Sequence, residues 1–132
     1  MEKYEKLLNM LMDFNDDIRF AAICDKNGEI LWNTKRNNVK PLVPMADTKK
    51  TLQRALSAWD ERSKISAMVG KGMYTIAAYE KIKRITIPLN DKHILFISVD
   101  NTPSKSSKKK SYGHLVEMGK ILSIVDFVNS AN

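Results

Sequence analysis

The chain contains few of the residues on which catalysis, metal binding and covalent cross-linking most often depend. One cysteine and two histidines occur among its 132 residues. Cys24 has no second cysteine with which to form an internal disulfide, and a lone thiol suits a reducing cytoplasm. No spacing joins His93, His114 and Cys24 into a metal-binding motif. The sequence therefore predicts neither a disulfide nor a metal site.

Long apolar runs are also missing. The longest, such as residues 94–97, are far shorter than the roughly 20 residues needed to span a bilayer. The first ten residues mix glutamates with lysines and have no small-residue cleavage site, unlike a secretory signal. We therefore expect a cytoplasmic protein with no membrane partner. Its composition, 43% hydrophobic and 28% charged, is ordinary for one globular domain over residues 1–132.

Enzyme motifs are absent as well. The Gly70-Lys71-Gly72 segment lacks the remaining residues of a G-x-x-x-x-G-K-[ST] phosphate loop and does not connect a strand to a helix. Cys24 precedes Asp25 at a predicted strand end, where a small, half-buried structural residue is the simplest interpretation. A catalytic cysteine would need a neighbouring base, which the sequence does not identify. We predict no catalytic residue, no cofactor and no enzyme activity.

Positive charge is concentrated in one segment. The formal net charge is +7, and removing Lys105, Lys108, Lys109 and Lys110 leaves 7 − 4 = +3. These lysines lie in TPSKSSKKKSYG, whose composition predicts a flexible Ser/Lys-rich loop at about 102–111. Such a loop is either a solvated connection or an attractor of phosphates or an acidic partner. No recognition helix or set of stacking aromatics accompanies it, which disfavours sequence-specific nucleic-acid binding.

A second basic cluster lies further back in the chain. Lys81, Lys83 and Arg84 sit on or beside a predicted strand. One interpretation is a structural surface in which Arg84 pairs with Glu80, an interaction worth at most about 1 kcal/mol. The other is a basic patch that extends the lysine-rich loop into a site for an anionic ligand or partner.

The front half predicts a helix, a hairpin and a second helix. Residues 2–14 carry an apolar stripe at helical spacing. Two short apolar runs then flank Asn27 and Gly28, which predicts a β-hairpin with strands at 18–25 and 29–33. Residues 34–43 are polar and interrupted by proline, as in a loop. A second helix is predicted from about 45 to 69, kinked near 60–63, with a strand at 65–70 as the alternative.

The back half predicts three strands and a last helix. The strands are expected at 73–80, 82–89 and in the apolar run HILFISV, whose lack of alternation is typical of a central strand buried on both faces. The first of them is apolar on both sides, so both its faces are expected to be covered. Pro88 favours an edge position or a strand end, and Asn90-Asp91 a two-residue turn. The last helix, at about 112–130, is apolar over more than one face. One face should pack on the sheet and the rest against helix one or another subunit, and the latter would mean self-association.

Together these elements predict an α+β fold in the order α-ββ-α-βββ-α, with one five-stranded antiparallel sheet and helices on both faces. The chain resembles roadblock/LC7 domains of the profilin-like group over nearly its whole length. The resemblance rests on the hairpin IRFAAICDKNGEILW and on the run from Tyr74 to Val99. The pattern Y-x-x-A-x-Y-E-K-I-K-R-I-T-I-P-L, from Tyr74 to Leu89, also looks like that of a small archaeal family of unassigned activity.

The roadblock resemblance implies that helix two covers one face of the sheet and helices one and three the other. It also implies dimers joined along the third strand, here through Met73, Thr75, Ala77 and Tyr79. Roadblock proteins are generally scaffolds or regulators of small GTPases and motor complexes without chemistry of their own, so a regulatory homodimer with a protein partner is expected. The alternatives are a small-ligand sensor with a closed apolar pocket near Trp59 and Tyr79, and an accessory protein that binds an anionic partner or nucleic acid through the lysine-rich loop.

Overall fold

Five strands form one antiparallel sheet in the computed structural model, which describes residues 2–37, 39–101 and 118–130. The elements are α1 (Glu2–Phe14), β1 (Ile18–Asp25), β2 (Ile30–Lys35), α2 (Met45–Ser63), α3 (Ser66–Val69), β3 (Thr75–Ala78), β4 (Ile82–Pro88), β5 (His93–Asp100) and α4 (Met118–Ser130). The strand order is β2-β1-β5-β4-β3. Apart from the additional short helix α3, this confirms the predicted fold class and element order.

The central strand is β5, as its uninterrupted apolar run predicted. It pairs with β1 on one side and β4 on the other, and every residue from 94 to 99 is buried. Alternate side chains enter the two layers of core: Leu95, Ile97 and Val99 on one face, Ile94 and Phe96 on the other. A strand with both faces covered needs no polar alternation, which is why HILFISV has none.

Helices α1 and α4 cover one face of the sheet, and α2 lies against the other. The larger core joins α1 and α4 to the sheet and includes Leu7, Leu11, Ile121 and Val128. Leu52 of α2 belongs to the smaller cluster on the opposite face. The expected distribution of helices is therefore confirmed. Much of the apolar surplus predicted for the last helix is explained within one chain, because α1 packs against α4.

An arginine beyond β2 completes the end of α1. The Arg36 guanidinium donates to the carbonyl oxygens of Met12 (2.7 Å), Asn15 (2.8 Å) and Ile18 (3.0 Å). The Met12 carbonyl lies in the last turn of α1, where helix carbonyls have no N–H partner within the helix, and the negative end of the helix dipole favours a cation there. Arg36 thereby ties α1 to the β1–β2 hairpin on which it packs.

The segment after α2 differs from its prediction. The helix ends at Ser63, and α3 is a separate single turn that stops at Gly70, whose φ is 90°. The predicted helical bounds of about 45 and 69 are confirmed, but the predicted kink is a break at Lys64 and Ile65, and the alternative strand at 65–70 was wrong. Ile65, Met68 and Val69 have the spacing of a buried stripe, but they are exposed. No described residue covers this apolar stripe. Its burial therefore does not stabilise a longer continuous helix.

Four other boundaries or environments also differ. The third strand covers Thr75–Ala78 rather than 73–80, and at the sheet edge its faces are largely exposed rather than covered. Strand β2 extends to Lys35 because its end pairs with Phe20. The β4–β5 turn has three residues, since Leu89 N–H donates to the His93 carbonyl across Asn90, Asp91 and Lys92. Strand β4 ends at Pro88, as its proline indicated.

Two predicted segments fall on parts of the chain outside the described residues. These are the Ser/Lys-rich loop at about 102–111 and the beginning of the last helix at 112–117. Within the described part of the chain, no helix combines the length and apolarity needed to cross a bilayer.

Candidate interaction surface at the third strand

Strand β3 is an edge strand that pairs only with β4 among the described elements. Its outer side therefore presents backbone N–H and C=O groups along four residues, a ready template for another strand. The devices that usually block such an edge are weak here, because TIAA contains no charge and no proline. This edge is the first component of the candidate site.

The four residues predicted for a dimer interface lie at this edge. Thr75 and Ala77 are paired with Thr86 and Arg84, on the face of the sheet that α2 covers. The hydroxyl oxygens of Thr75 and Thr86 are 2.7 Å apart. Met73, just before the strand, and Tyr79, just after it, are exposed by 61% and 56%. Their position suits an interface, and their role remains a prediction.

The structure adds apolar residues that were not assigned to this surface. Seven of the eleven large hydrophobic side chains exposed in the described chain fall between residues 65 and 79. We call this set the 65–79 surface; its members are Ile65, Met68, Val69, Met73, Tyr74, Ile76 and Tyr79. The signal for the first three was present in their i, i+3, i+4 spacing, but spacing shows an apolar face and not whether anything covers it.

The predicted basic cluster is divided between the two faces of the sheet. Lys81 is exposed before β4. Lys83 and Arg84 are consecutive in β4 and therefore project to opposite sides. Lys83 Nζ donates to Asn101 Oδ1 at 2.7 Å. Partial burial lowers its pKa, against the opposing effect of Asp17.

The other members of the predicted basic site are not placed. Lys105, Lys108, Lys109 and Lys110 lie outside the described residues. Anion or partner binding by them remains a prediction.

Arg84 has a defined environment beneath α2. Its Nη1 donates to Thr51 Oγ1 at 2.8 Å, rather than pairing with Glu80. The guanidinium carbon lies 4.8 Å from the centre of the Phe96 ring. Burial lowers the pKa of Arg84, while the nearby Tyr79 hydroxyl opposes that shift. An arginine retains its charge at neutral pH despite such a change, so a cation is held within this face of the sheet.

Two of the grooves that adjoin α2 on this face contain residues expected near a ligand. One, of about 400 Å³, lies between α2 and the β3–β4 edge and contains Tyr79 and Arg84 on its lining. The other, of about 520 Å³, is lined in part by Trp59 and His93. Trp59 and Tyr79, which were expected to flank one closed ligand pocket, thus line different grooves. The Trp59 indole N–H donates to Thr86 Oγ1 at 3.0 Å, so it adjoins the first groove as well.

Cys24 lies away from this surface. It is buried, and burial raises its pKa to about 12, with a smaller contribution from Asp25. A thiol in this state is a poor nucleophile near neutral pH. The described residues contain no group of three or more histidine, cysteine or acidic side chains arranged to hold a metal ion.

Solved structures with the same fold are found at low sequence identity. The gliding protein MglB from Thermus thermophilus has 12% identity and a TM-score of 0.65, covering 98% of this chain and 93% of that one. A structure titled MglB with tetrameric arrangement has 14% identity and a TM-score of 0.63, covering 98% and 86%. A roadblock/LC7 domain from Streptomyces avermitilis has 5% identity and a TM-score of 0.60, covering 95% and 90%.

These similarities establish the class of fold. No protein-family model matches the sequence, and no curated protein matches it either. The chain has the roadblock/LC7 fold, which confirms the resemblance based on its hairpin and its back half. The archaeal sequence pattern from Tyr74 to Leu89 remains a prediction.

Proposed function

We propose that this protein is a non-enzymatic, cytoplasmic interaction module, a single domain that acts as a homodimer through β3 and the 65–79 surface. One observation carries the proposal: seven of the eleven exposed large hydrophobic side chains of the described chain lie in residues 65–79, the segment that leads into and contains β3, and β3 is an uncharged edge strand that pairs only with β4 among the described elements. Large exposed apolar patches on a soluble domain mark interaction sites. The same edge supplies backbone hydrogen bonds, so a second copy could satisfy both needs at once.

The geometry of such a dimer follows from symmetry. Two identical edges that pair antiparallel are related by a two-fold axis perpendicular to the sheet. Both α2 helices would then lie on the same face of a continuous ten-stranded sheet. Exposed Met73 and Tyr79 would flank the junction. A stable interface of this kind buries on the order of 1,200–2,000 Å² in total.

The proposed role is regulatory, as a scaffold for another protein. The fold and the resemblance support this role, and the resemblance suggests a small GTPase as the partner class. One of the similar structures is described as a tetrameric arrangement of MglB, so higher assembly is known for a protein with this fold. The buried, high-pKa Cys24 gives no support to a catalytic role.

Three single substitutions to lysine test which surface makes the dimer. Met73→Lys places a charge at the β3 edge, Phe127→Lys places one on the outer side of α4, and Leu42→Lys places one in the loop before α2. All three side chains are exposed, at 61%, 55% and 49%, so none of the changes disturbs the core. The mass of each variant is measured by light scattering at several protein concentrations.

We expect wild type, Phe127→Lys and Leu42→Lys to be dimers at tens of micromolar and Met73→Lys to be mainly monomeric. A desolvated, unpaired lysine in an interface costs several kcal/mol, enough to dissociate a micromolar dimer. A monomeric wild-type protein would overturn the proposal. Dimers that survive Met73→Lys but not Phe127→Lys would move the interface to α4.

A further inference from the structure

Three arginines line the groove between α2 and the β3–β4 edge. They are Arg54, Arg62 and Arg84, and no aspartate or glutamate lines it. The remaining polar groups are hydroxyls, which come from Thr51, Thr75, Thr86 and Tyr79. No acidic side chain of the lining therefore neutralises the three arginines.

Arg84 is the fixed member of the three arginines. The Thr51 hydroxyl takes one of its N–H groups, and the Phe96 ring lies against its guanidinium carbon. A guanidinium has five N–H donors in a planar fork that suits two oxygens of one anion. The contacts with Thr51 and Phe96 orient this fork in advance, which lowers the entropy lost on binding. Arg54 and Arg62 are exposed on α2 and can approach from the rim.

The groove also has room for an apolar body. Its walls include Ala55 and Ala58 of α2 and Ala77 of β3, small side chains that do not fill the space between helix and strand. The resulting volume of about 400 Å³ lies within the range of small-molecule sites. The floor includes Leu52 and Phe96, so a ligand with an aromatic or aliphatic portion would find apolar contacts beside the charge.

We propose that this groove binds a small organic phosphate, with the phosphate on the Arg84 fork and the apolar portion against the alanines. Three cations without an acidic neighbour favour a dianionic phosphate over a singly charged carboxylate. The two rim arginines add charge on the same side of the phosphate. One copy of the chain supplies the whole lining, but Thr75, Ala77 and Tyr79 also belong to the predicted dimer interface, so the groove lies beside the proposed junction.

The two tryptophans provide a direct test. The Trp59 indole N–H donates to Thr86 at the groove, whereas Trp32 packs with Tyr4 on the opposite face of the sheet. Phenyl phosphate, inorganic phosphate and benzoate are titrated separately into ¹⁵N-labelled protein. We expect phenyl phosphate to shift the Trp59 indole signal saturably and to leave Trp32 unmoved. Inorganic phosphate and benzoate should each bind at least about tenfold more weakly, because each lacks one of the two proposed contacts.

Arginine-to-glutamine variants test the assignment of residues. Arg84→Gln should weaken phenyl phosphate about tenfold or more, and Arg62→Gln severalfold, because charge-assisted forks are stronger than neutral hydrogen bonds. Lys50→Gln removes the same charge from an exposed position of α2 outside the groove, and binding should stay within about twofold. An unchanged Trp32 signal establishes that a variant is folded; if Arg84→Gln does not fold, Arg62→Gln and Arg54→Gln decide.

Several results would overturn this proposal. A linear, unsaturated shift would mean no site, and equal shifts of both tryptophans would mean general binding. Equal losses in Lys50→Gln and Arg62→Gln would reduce the effect to overall charge. Equal affinities for benzoate and phenyl phosphate would show that the groove does not select phosphate. None of these results would bear on the dimer, which is measured by mass.

Discussion

The Cys24 thiol lies in β1, on the face of the sheet beneath α2. Its neighbours in the small core cluster are Ala22, Leu52, Ile94 and Phe96, which offer no polar atom from a side chain. A thiolate there would lose its hydration without a compensating partner, and Asp25 adds a nearby negative charge. Both effects raise the pKa from the usual 9.0 to about 12. The expectation of a half-buried residue underestimated the burial of Cys24, whose side chain is fully buried.

This shift predicts slow alkylation and a loss of stability in alkali. At pH 9 about half of the thiols of an unfolded chain are ionised, against roughly one in a thousand in the folded protein. Iodoacetamide should therefore label native protein at least about a hundredfold more slowly than protein in concentrated urea. Because the folded pKa is the higher one, the stabilising effect is complete below about pH 9 and is lost as pH rises toward 12.

Cys24→Ala is the matched control for the pH dependence. Its free energy of unfolding should fall less steeply than that of wild type between pH 9 and the highest pH at which the protein remains folded. Urea titrations at a series of pH values measure the difference. Equal slopes for the two proteins, or equally rapid labelling of native and unfolded chains, would contradict the assigned environment.

Between α3 and β3, the chain passes close against Trp59. A Cβ at Gly72 would collide with the ring of this tryptophan, whose indole N–H is held by Thr86. We expect Gly72→Ala to displace the ring and lower the free energy of unfolding by about 1–3 kcal/mol, the usual cost of overpacking. The Trp59 indole resonance should move while that of Trp32 stays in place.

Gly119→Ala is the matched control for this glycine effect. Gly119 lies in α4, and apart from its neighbours and the backbone of the helix itself, no atom of the described residues lies within 4 Å of the position of an added Cβ. The same chemical change should stabilise the protein there by up to about 1 kcal/mol, since alanine restricts the unfolded chain and favours a helix. Chemical denaturation compares the two variants. Two effects of the same sign would mean that the close approach to Trp59 is not rigid.

The sequence predicted best those elements whose hydrophobic pattern is compatible with only one structural environment. The stripe of α1 predicted its bounds, and the uninterrupted HILFISV predicted a central strand because only a doubly covered strand tolerates it. The pattern at 65–80 has two solutions. Its apolar residues suit a core as well as an interface, and one chain cannot indicate which is present. The error in the environment of β3 arose from assuming a core.

The candidate site divides in the same way. The edge residues Met73, Thr75, Ala77 and Tyr79 came from a family resemblance and lie where that resemblance implied. Of the three groove arginines, the sequence pointed to only one. Arg84 was singled out, but its companions Arg54 and Arg62 are 22 to 30 positions away on α2 and meet it only through the fold. No local sequence spacing indicates that these three arginines lie near one another in the fold.

At the scale of the whole molecule, charge opposes the proposed association. Each copy carries a formal charge of +7, so a homodimer carries 2 × 7 = +14. The two-fold axis would also bring both α2 helices, with their groove arginines, to one face of the joined sheet. Apolar burial at the 65–79 surface must therefore exceed a repulsion between like charges. That competition has a measurable signature in concentration and in salt.

The proposed dimer predicts a Tm that rises with protein concentration and association that strengthens with salt. If folding and assembly are coupled, each tenfold increase in concentration adds about 1.4 kcal/mol to the stability of the dimer.

Raising NaCl from about 0.1 M to 1 M shortens the screening length from about 10 Å to 3 Å, which weakens the repulsion between copies. The dissociation constant should then fall, opposite to the trend for an interface made of ion pairs. Calorimetry over a hundredfold concentration range and sedimentation at two salt concentrations measure these effects, with Met73→Lys as the variant in which both should vanish. A Tm independent of concentration, or a dimer that salt dissociates, would mean that apolar burial at β3 does not join the copies.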